Sequence, residues 1–164
     1  MTQMTVLQPG DPFPSLTVAL PGGRTLRLPD ALAGRFGVVL YYRGSWCPYC
    51  NAQLSAFQQS PDSLADVDIP AAALPVDDEA TTGDLITKHR LRFPVGHSAD
   101  AAAITRATGA FVNPGPPYPQ STGFLLDPGG RVTVSAYSSG AIGRPVPQDV
   151  ISLAGYLRAH AQAS

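Results

Sequence analysis

Two cysteines, Cys47 and Cys50, are the only ones in this chain of 164 residues, and they lie within the pentapeptide Trp46-Cys47-Pro48-Tyr49-Cys50. A pair at this spacing can close a small disulfide and open it again. It would stabilise the fold little, because the entropy that a crosslink removes from the unfolded chain grows with loop length. A chain of this size also buries roughly 68–70% of its unfolded surface without a crosslink. The spacing therefore predicts a redox-active pair.

A metal site and an inert buried pair are the alternatives for these cysteines. A structural zinc site normally needs four ligands, and the three histidines, His89, His97 and His160, are isolated from one another. In a reducing compartment a close cysteine pair is more often catalytic or metal-binding than structural. We therefore expect no metal and no other cofactor, and redox chemistry remains the favoured interpretation.

The residues on either side of the pair predict a strand followed by a helix. Residues 38–42 are continuously apolar, which is typical of a strand buried on both faces. After the pair, Leu54 and Phe57 continue the spacing of one helix face. Cys47 would then be the N-cap and Pro48 the first helical residue, a position that suits proline.

This position favours ionisation of one cysteine over the other. The thiolate is the nucleophile, and an ordinary thiol is only a few per cent ionised at neutral pH. At a helix start, the N–H groups of Tyr49 and Cys50 would point at the Cys47 sulfur, and the helix dipole would favour its negative charge. We expect Cys50 to lie one turn inward, less exposed and less ionised. Cys47 is thus the predicted attacking thiol and Cys50 the predicted resolving thiol.

Strand and helix patterns alternate along the rest of the chain. The predicted elements are a hairpin over 15–28, a strand over 69–76, a helix over 79–90, an extended piece over 93–95, a helix over 99–108, a hairpin over 123–136 and a helix over 148–160. A Pro/Gly-rich loop covers 113–119. This order predicts an α/β three-layer sandwich with a mixed central sheet and an N-terminal hairpin, in a single domain over residues 1–164.

Composition argues against two classes of partner. The chain has eleven basic and twelve acidic residues and no basic run, so we expect neither nucleic acid nor a membrane surface. No apolar stretch approaches the ~20 residues that span a bilayer. Residues 1–10 carry no positive charge and no apolar core, unlike a secretory signal. We expect a cytoplasmic protein.

The segment 41–54, YYRGSWCPYCNAQL, resembles the active-site segment of the peroxiredoxin-like branch of the thioredoxin superfamily, the group named for alkyl hydroperoxide reductase and thiol-specific antioxidant. The segments 10–14, 74–78, 93–95 and 122–132 resemble further parts of that family in the same order. The resemblance implies a thioredoxin-like fold and reduction of hydroperoxides.

In the reaction that this resemblance implies, Cys47 is oxidised to a sulfenic acid, and Cys50 condenses with it to a disulfide. An external thiol, thioredoxin-like or of low molecular weight, then restores both. The oligomeric state is open, and a homodimer is one option.

Three positions depart from the family pattern. A typical peroxiredoxin has Pro seven residues and Thr or Ser three residues before its attacking Cys, where this chain has Leu40 and Gly44. The family's Arg before the penultimate strand corresponds to Ser121. The family's Thr and Arg hold the peroxide and polarise its O–O bond. Thioredoxin-type enzymes place a cis-Pro near the same point, and this chain has Pro119 two residues earlier.

The candidate substrate-binding residues surround these departures: Arg43, Gly44, Trp46, Ser121 and Thr122. Arg43 would bind a peroxide oxygen or lower the thiolate pKa, unless it is a solvated side chain at the strand end. Trp46 would shield the sulfur and offer apolar contact to a partner. Ser121 and Thr122 would donate hydroxyls, unless they cap a turn.

Three further polar residues could be interpreted as proton carriers, but we do not expect them to transfer protons in the reaction. Asp77 and Asp78 precede a predicted helix, so capping explains both. His97 is explained as a polar loop residue at a strand end.

Two other functions compete with peroxide reduction. One is thiol–disulfide exchange, in which Cys47 attacks a disulfide substrate through a mixed intermediate. The other is a non-catalytic redox sensor, with a partner surface near the loop 113–119, because a fold alone does not assign a function. The departures favour exchange, whereas the ordered resemblance favours hydroperoxide reduction.

Overall fold

The computed structural model describes residues 5–59, 64 and 67–161. The strands are β1 Leu16–Leu20, β2 Arg24–Leu28, β3 Gly37–Tyr41, β4 Ala71–Leu74, β5 Thr122–Leu126 and β6 Val132–Tyr137. The helices are α1 Pro48–Gln59, α2 Glu79–His89, α3 Ala101–Thr108 and α4 Pro147–Ala161, with a short 3-10 helix at Asp30–Leu32. The single-domain interpretation of 1–164 stays a prediction, and part of the signal prediction for 1–10 falls on residues outside the described ranges.

Four of the strands form a mixed sheet in the order β4-β3-β5-β6. β3 pairs in parallel with β4 and antiparallel with β5, and β5 pairs antiparallel with β6. β1 and β2 form a separate antiparallel hairpin. The mixed sheet and the N-terminal hairpin confirm the predicted fold class.

The central strand β3 is buried along its whole length, as its continuous apolar run predicts. Successive side chains of a strand point to opposite faces of the sheet. Val38 and Leu40 pack in one core with residues of α1, α2 and α4. Val39 and Tyr41 pack in a second core with residues of the hairpin and α3. The sheet is therefore the middle of three layers.

Several chain segments meet at the edge of the sheet where β3 ends. Tyr41, the last residue of β3, pairs with Leu74 at the end of β4 and with Thr122 at the start of β5. Thr122 in turn pairs with Tyr137 at the end of β6. The loops after β3, β4 and β6 and the loop before β5 thus surround the start of α1.

Two predicted elements have boundaries that differ from the sequence interpretation by two residues or more. β4 covers only 71–74 of the predicted 69–76, and Pro70 and Pro75 flank it. α3 begins at Ala101 because Asp100 caps it, accepting hydrogen bonds from two backbone N–H groups, and it ends at Thr108, after which Gly109 adopts a left-handed conformation. The short 3-10 helix was not predicted.

The predicted extended piece at 93–95 makes one isolated bridge, in which Val95 pairs in parallel with Ala73. No helix in the described part of the chain is long and apolar enough to cross a bilayer.

Leu54 anchors α1 to the sheet and is completely buried. We expect Leu54→Ala to lower the free energy of unfolding by about 2–5 kcal/mol, because it removes buried methyl groups and leaves a cavity. Urea denaturation measures this. The control Ile142→Ala, at an exposed side chain, should change stability by less than about 0.5 kcal/mol. Equal losses in the two variants would contradict the assignment of Leu54 to the core.

Candidate active site

The cysteine pair lies at the start of α1, at the edge of the sheet described above. α1 begins at Pro48, so Cys47 takes the predicted position before it. The Cys50 N–H donates to the Cys47 sulfur over 3.3 Å, and the Asn51 N–H donates to the Cys47 carbonyl over 3.0 Å. The Tyr49 N–H, which was also expected to donate, makes no hydrogen bond to the sulfur. Both thiols are free.

Arg43 is the side-chain cation at Cys47. Its Nη1 lies 3.7 Å from the Cys47 sulfur, its Nε donates to Gln120 Oε1 over 3.0 Å, and its Nη2 donates to the Tyr118 hydroxyl over 3.3 Å. These contacts hold the guanidinium in one orientation. Arg43 therefore contacts the cysteine pair, while part of the residue stays exposed to solvent.

Two aromatic rings complete the setting of Arg43. The guanidinium carbon lies 5.0 Å from the centroid of Trp46 and 5.4 Å from that of Tyr118. The rings contact each other edge to face at 5.0 Å. Each cation–π contact at an exposed site contributes about 0.5–1 kcal/mol. We call Arg43, Trp46 and Tyr118 the aromatic roof.

Gly44 leaves room for the roof and contributes no side chain to the site. A Cβ on Gly44 would lie 2.2 Å from Trp46 Nε1, far closer than any van der Waals contact. The position at which a typical peroxiredoxin has Thr or Ser is therefore filled here by the indole. A hydroxyl-bearing residue at 44 would have to displace it.

Neither cysteine has exposed surface, and the two sulfurs differ in their hydrogen-bond donors. Cys47 and Cys50 are both 0% exposed, so the expected difference in exposed surface, with Cys50 the less exposed, is not seen. The Cys50 sulfur accepts hydrogen bonds from the backbone N–H of Arg43 over 3.3 Å and from Nη2 of Arg144 over 3.4 Å.

The thiol pKa values shift in opposite directions. For Cys47 burial acts to raise the pKa, but hydrogen bonds from Cys50 and Arg43 and the charge of Arg144 lower it below the ordinary thiol value. For Cys50 burial and its hydrogen bond to Cys47 raise the pKa, against the lowering effect of Arg144. The negative charge therefore resides preferentially on Cys47, as the helix position predicts.

The two predicted hydroxyl donors differ in availability. The Thr122 hydroxyl donates to the Gln120 carbonyl over 3.0 Å, and the structure shows no polar contact between it and either sulfur. The Ser121 side chain is 1% exposed, and its hydroxyl has no hydrogen-bond partner among the described residues. Within the described ranges, the cis peptide bonds precede Pro29 and Pro116, and the bond before Pro119 is not among them. Ser121 remains a candidate donor to substrate.

Sequence patterns missed three site residues, Tyr118, Gln120 and Arg144. Tyr118 belongs to the Pro/Gly-rich loop that was considered as a partner surface, and the structure turns its hydroxyl toward Arg43. Gln120 precedes β5, and Arg144 lies between β6 and α4. No motif marks any of them, because each reaches the site through strand pairing far along the chain. The richness of the 113–119 loop in Pro and Gly was the only available signal.

The polar residues that were not expected to act have structural contacts. Asp78 caps α2 by accepting from the Thr81 N–H over 2.8 Å, as predicted. Asp77 is not a helix cap. Its Oδ2 accepts from the Ser45 N–H over 2.8 Å, which ties β4 to the cysteine loop, and burial raises its pKa. The His97 ring forms a hydrogen bond with the Ser98 hydroxyl.

The described residues contain no cluster of three His, Cys, Asp or Glu side chains that could hold a metal.

A family model described as the AhpC/TSA family matches residues 9–135. A curated peroxiredoxin of Methanothermobacter thermautotrophicus is 26% identical over 149 residues, covering 86% of this chain and 69% of that protein.

Solved structures share the fold. A cysteine-to-serine mutant of peroxiredoxin 6 of Arenicola marina superposes with a TM-score of 0.79 at 17% identity, covering 95% of this chain and 76% of that one. AhpC of Mycobacterium tuberculosis superposes with a TM-score of 0.74 at 20% identity, covering 94% of each chain.

The contact between Gly44 and the roof can be tested by fluorescence, because Trp46 is the only tryptophan. We expect Gly44→Ala to push the indole toward solvent, shift its emission to longer wavelength and slow the reaction of Cys47 with peroxide about two- to fivefold, the value of one lost cation–π contact. The control is Gly83→Ala in α2, where a Cβ meets nothing within 4 Å. Unchanged emission in Gly44→Ala would show that the indole does not depend on the missing Cβ.

Proposed function

This chain belongs to the AhpC/TSA family of thiol-dependent peroxidases, and we propose that it reduces hydroperoxides through Cys47, with Cys50 as the resolving thiol. The sequence prediction of a peroxiredoxin-like thiol oxidoreductase is confirmed at the level of the family. The observation that carries the assignment of Cys47 is its sulfur 3.7 Å from Nη1 of Arg43, at the start of α1. A thiolate is the reactive form, and this setting stabilises it.

The proposed first step is a two-electron transfer from sulfur to peroxide. The Cys47 thiolate attacks one peroxide oxygen, an S–O bond forms and the O–O bond breaks. The other oxygen leaves as an alkoxide or hydroxide and takes up a proton. Cys47 is now a sulfenic acid, and the peroxide has become an alcohol or water.

The proposed second step closes the disulfide. The Cys50 sulfur attacks the Cys47 sulfur, an S–S bond forms, and the S–O bond breaks with release of water. Two equivalents of an external thiol then return both cysteines to the reduced form. Because Cys50 lies one helical turn after Cys47, this step needs little movement of the chain.

Arg43 supports the first step in place of the family residues that are absent at Gly44 and Ser121. It contacts the attacking sulfur and retains further N–H groups near the same point. A guanidinium can therefore hold the thiolate and polarise the peroxide oxygen that leaves. The unpartnered Ser121 hydroxyl is a second proposed donor to the substrate.

The burial of Cys47 favours a small hydroperoxide over a disulfide substrate. Exchange needs a second disulfide aligned with the attacking sulfur, and Cys47 is 0% exposed beneath the aromatic roof. A small peroxide requires a much narrower path. The exposed rings of Trp46 and Tyr49, each 55% exposed, favour contact with a partner protein and so keep disulfide exchange as the second candidate.

Peroxiredoxin-type enzymes draw electrons from an external thiol, and we propose the same source here. A thioredoxin-like protein and a low-molecular-weight thiol are the two candidate reductants. Homodimer formation and a cytoplasmic location stay predictions from the sequence. The redox-sensor function has less support, because the loop 113–119 supplies Tyr118 to the site.

The cysteine roles can be tested with stopped-flow mixing of the reduced protein with hydrogen peroxide, an alkyl hydroperoxide and a small disulfide. We expect wild type to consume one equivalent of peroxide, Cys47→Ser to consume none, and Cys50→Ser to stop at a sulfenic acid that dimedone traps. A small disulfide that reacts faster than either peroxide would favour the exchange function. Reaction no faster than that of a free thiol would exclude both.

The role of Arg43 predicts a change in pH dependence. A lowered Cys47 pKa makes the thiolate abundant at lower pH, so the rate should rise with pH and level off earlier than for a free thiol. In Arg43→Gln we expect this inflection to move to higher pH. The rate at neutral pH should fall about tenfold for each pKa unit.

Two variants serve as controls for this experiment. Arg43→Lys keeps the charge without the planar fork of donors and should lie between Arg43→Gln and wild type. Arg24→Gln alters an exposed arginine on the hairpin and should behave as wild type. An inflection that stays in place in Arg43→Gln would refute the pairing of Arg43 with the thiolate.

A further inference from the structure

Arg144 is a second arginine at the cysteine pair, and it reaches Cys50. It lies in the segment between β6 and α4, and its Nη2 is 3.4 Å from the Cys50 sulfur. Its Nη1 donates to Gln53 Oε1 over 2.8 Å, and its Nε donates to the Ala141 carbonyl over 3.0 Å. Three separate acceptors therefore fix the orientation of this guanidinium.

The backbone that carries Arg144 is also held close to the site. Gln53, on α1 one turn after Cys50, returns a hydrogen bond from its amide to the Pro145 carbonyl over 3.0 Å. Pro145 packs so closely on β5 that a Cβ on Gly123 would lie 2.6 Å from its ring. The helix that bears the cysteines and the segment that bears Arg144 are thus joined in both directions.

Cys50 needs a cation more than Cys47 does. It is completely buried, and burial together with its hydrogen bond to Cys47 acts against its ionised form. Arg43 offers Cys50 only a backbone N–H, since its guanidinium is directed to Cys47. Among the described residues, Arg144 is the side-chain cation in contact with the Cys50 sulfur.

We propose that Arg144 is a catalytic residue for disulfide closure and opening, in which it stabilises the Cys50 thiolate. This rests on the proposed function, and it gives each sulfur its own contacting arginine: Arg43 contacts Cys47, and Arg144 contacts Cys50. The charge of Arg144 also lowers the pKa of Cys47, so a small effect on sulfenic acid formation is expected as well. In closure, Cys50 first loses its proton, and its thiolate attacks the sulfenic sulfur of Cys47. The S–S bond forms, the S–O bond breaks, and the hydroxide that leaves takes up a proton as water.

The same contact acts when the disulfide is reduced. An external thiolate attacks the Cys47 sulfur, and Cys50 leaves with the electron pair of the S–S bond. A leaving thiolate departs faster when its charge is stabilised, and Arg144 is already in place to do so.

The experiment separates the oxidation of Cys47 from disulfide closure. Wild type, Arg144→Gln, Arg144→Lys and the control Arg24→Gln are mixed with one equivalent of hydrogen peroxide. Samples are then quenched with dimedone at successive times for intact-mass analysis. We expect Arg144→Gln to form the sulfenic acid within about threefold of the wild-type rate. Closure should slow about tenfold or more, equal to one pKa unit or more at Cys50.

Two further readouts distinguish catalysis from support of the fold. In Arg144→Gln the rate of closure should level off at a higher pH than in wild type, and Arg144→Lys should restore part of it. Slower closure should also leave Cys47 open to a second peroxide, so excess peroxide should yield more sulfinic acid. A loss of local structure would slow both steps together and leave the pH inflection of closure unmoved.

The outcomes that contradict the role of Arg144 differ from the one that contradicts the proposed function. Closure at the wild-type rate and pH inflection in Arg144→Gln would overturn the role of Arg144 and leave the proposed function intact. Equal slowing of both steps would likewise overturn it in favour of a structural role. If peroxide yields neither a trapped sulfenic acid nor a Cys47–Cys50 disulfide in wild type, the proposed function itself is overturned, and the role of Arg144 with it.

Discussion

The site depends on one constraint: a negatively charged sulfur has to be stable where water does not reach it. Burial alone works against an ionised thiol, so the fold must bring donors to the sulfur. Cys47 has the Cys50 N–H at the start of α1 on one side and the Arg43 guanidinium on the other. The aromatic roof and the burial of both cysteines are arranged around this contact.

The sheet makes such a site possible because the ends of several strands meet at one of its edges. β3 delivers Arg43 and the cysteine loop, β5 starts just after Gln120, and β4 leads to Asp77, which holds the cysteine loop through Ser45. A buried strand with both faces covered moves little, and its register with β4 and β5 sets the positions of these residues. The distances between the Cys47 sulfur and its hydrogen-bond donors therefore depend on strand pairing in the buried middle layer.

The fold of this chain follows its family, whereas the residues around Cys47 differ from the family pattern. The chain has the fold of peroxiredoxins, yet Gly44 and Ser121 stand where the sequence resemblance would place the family's Thr and Arg. The Trp46 indole occupies the space of the missing side chain at 44, and guanidinium groups approach from Arg43 and from Arg144. A guanidinium can reach one point from several elements of a fold, so the same charge need not come from the same residue.

The sequence by itself determined the strand-motif-helix unit, the fold class and the family, because hydrophobic periodicity, proline at a helix start and ordered local motifs are properties of neighbouring residues. It also indicated which cysteine ionises, since the start of a helix is a local feature. It could not show that Arg43 contacts Cys47 or that Cys47, like Cys50, has no exposed surface. Nor could it show that Tyr118, Gln120 and Arg144 belong to the site. Those outcomes come from side chains on segments far apart along the chain, and only strand pairing and core packing bring them to one sulfur pair.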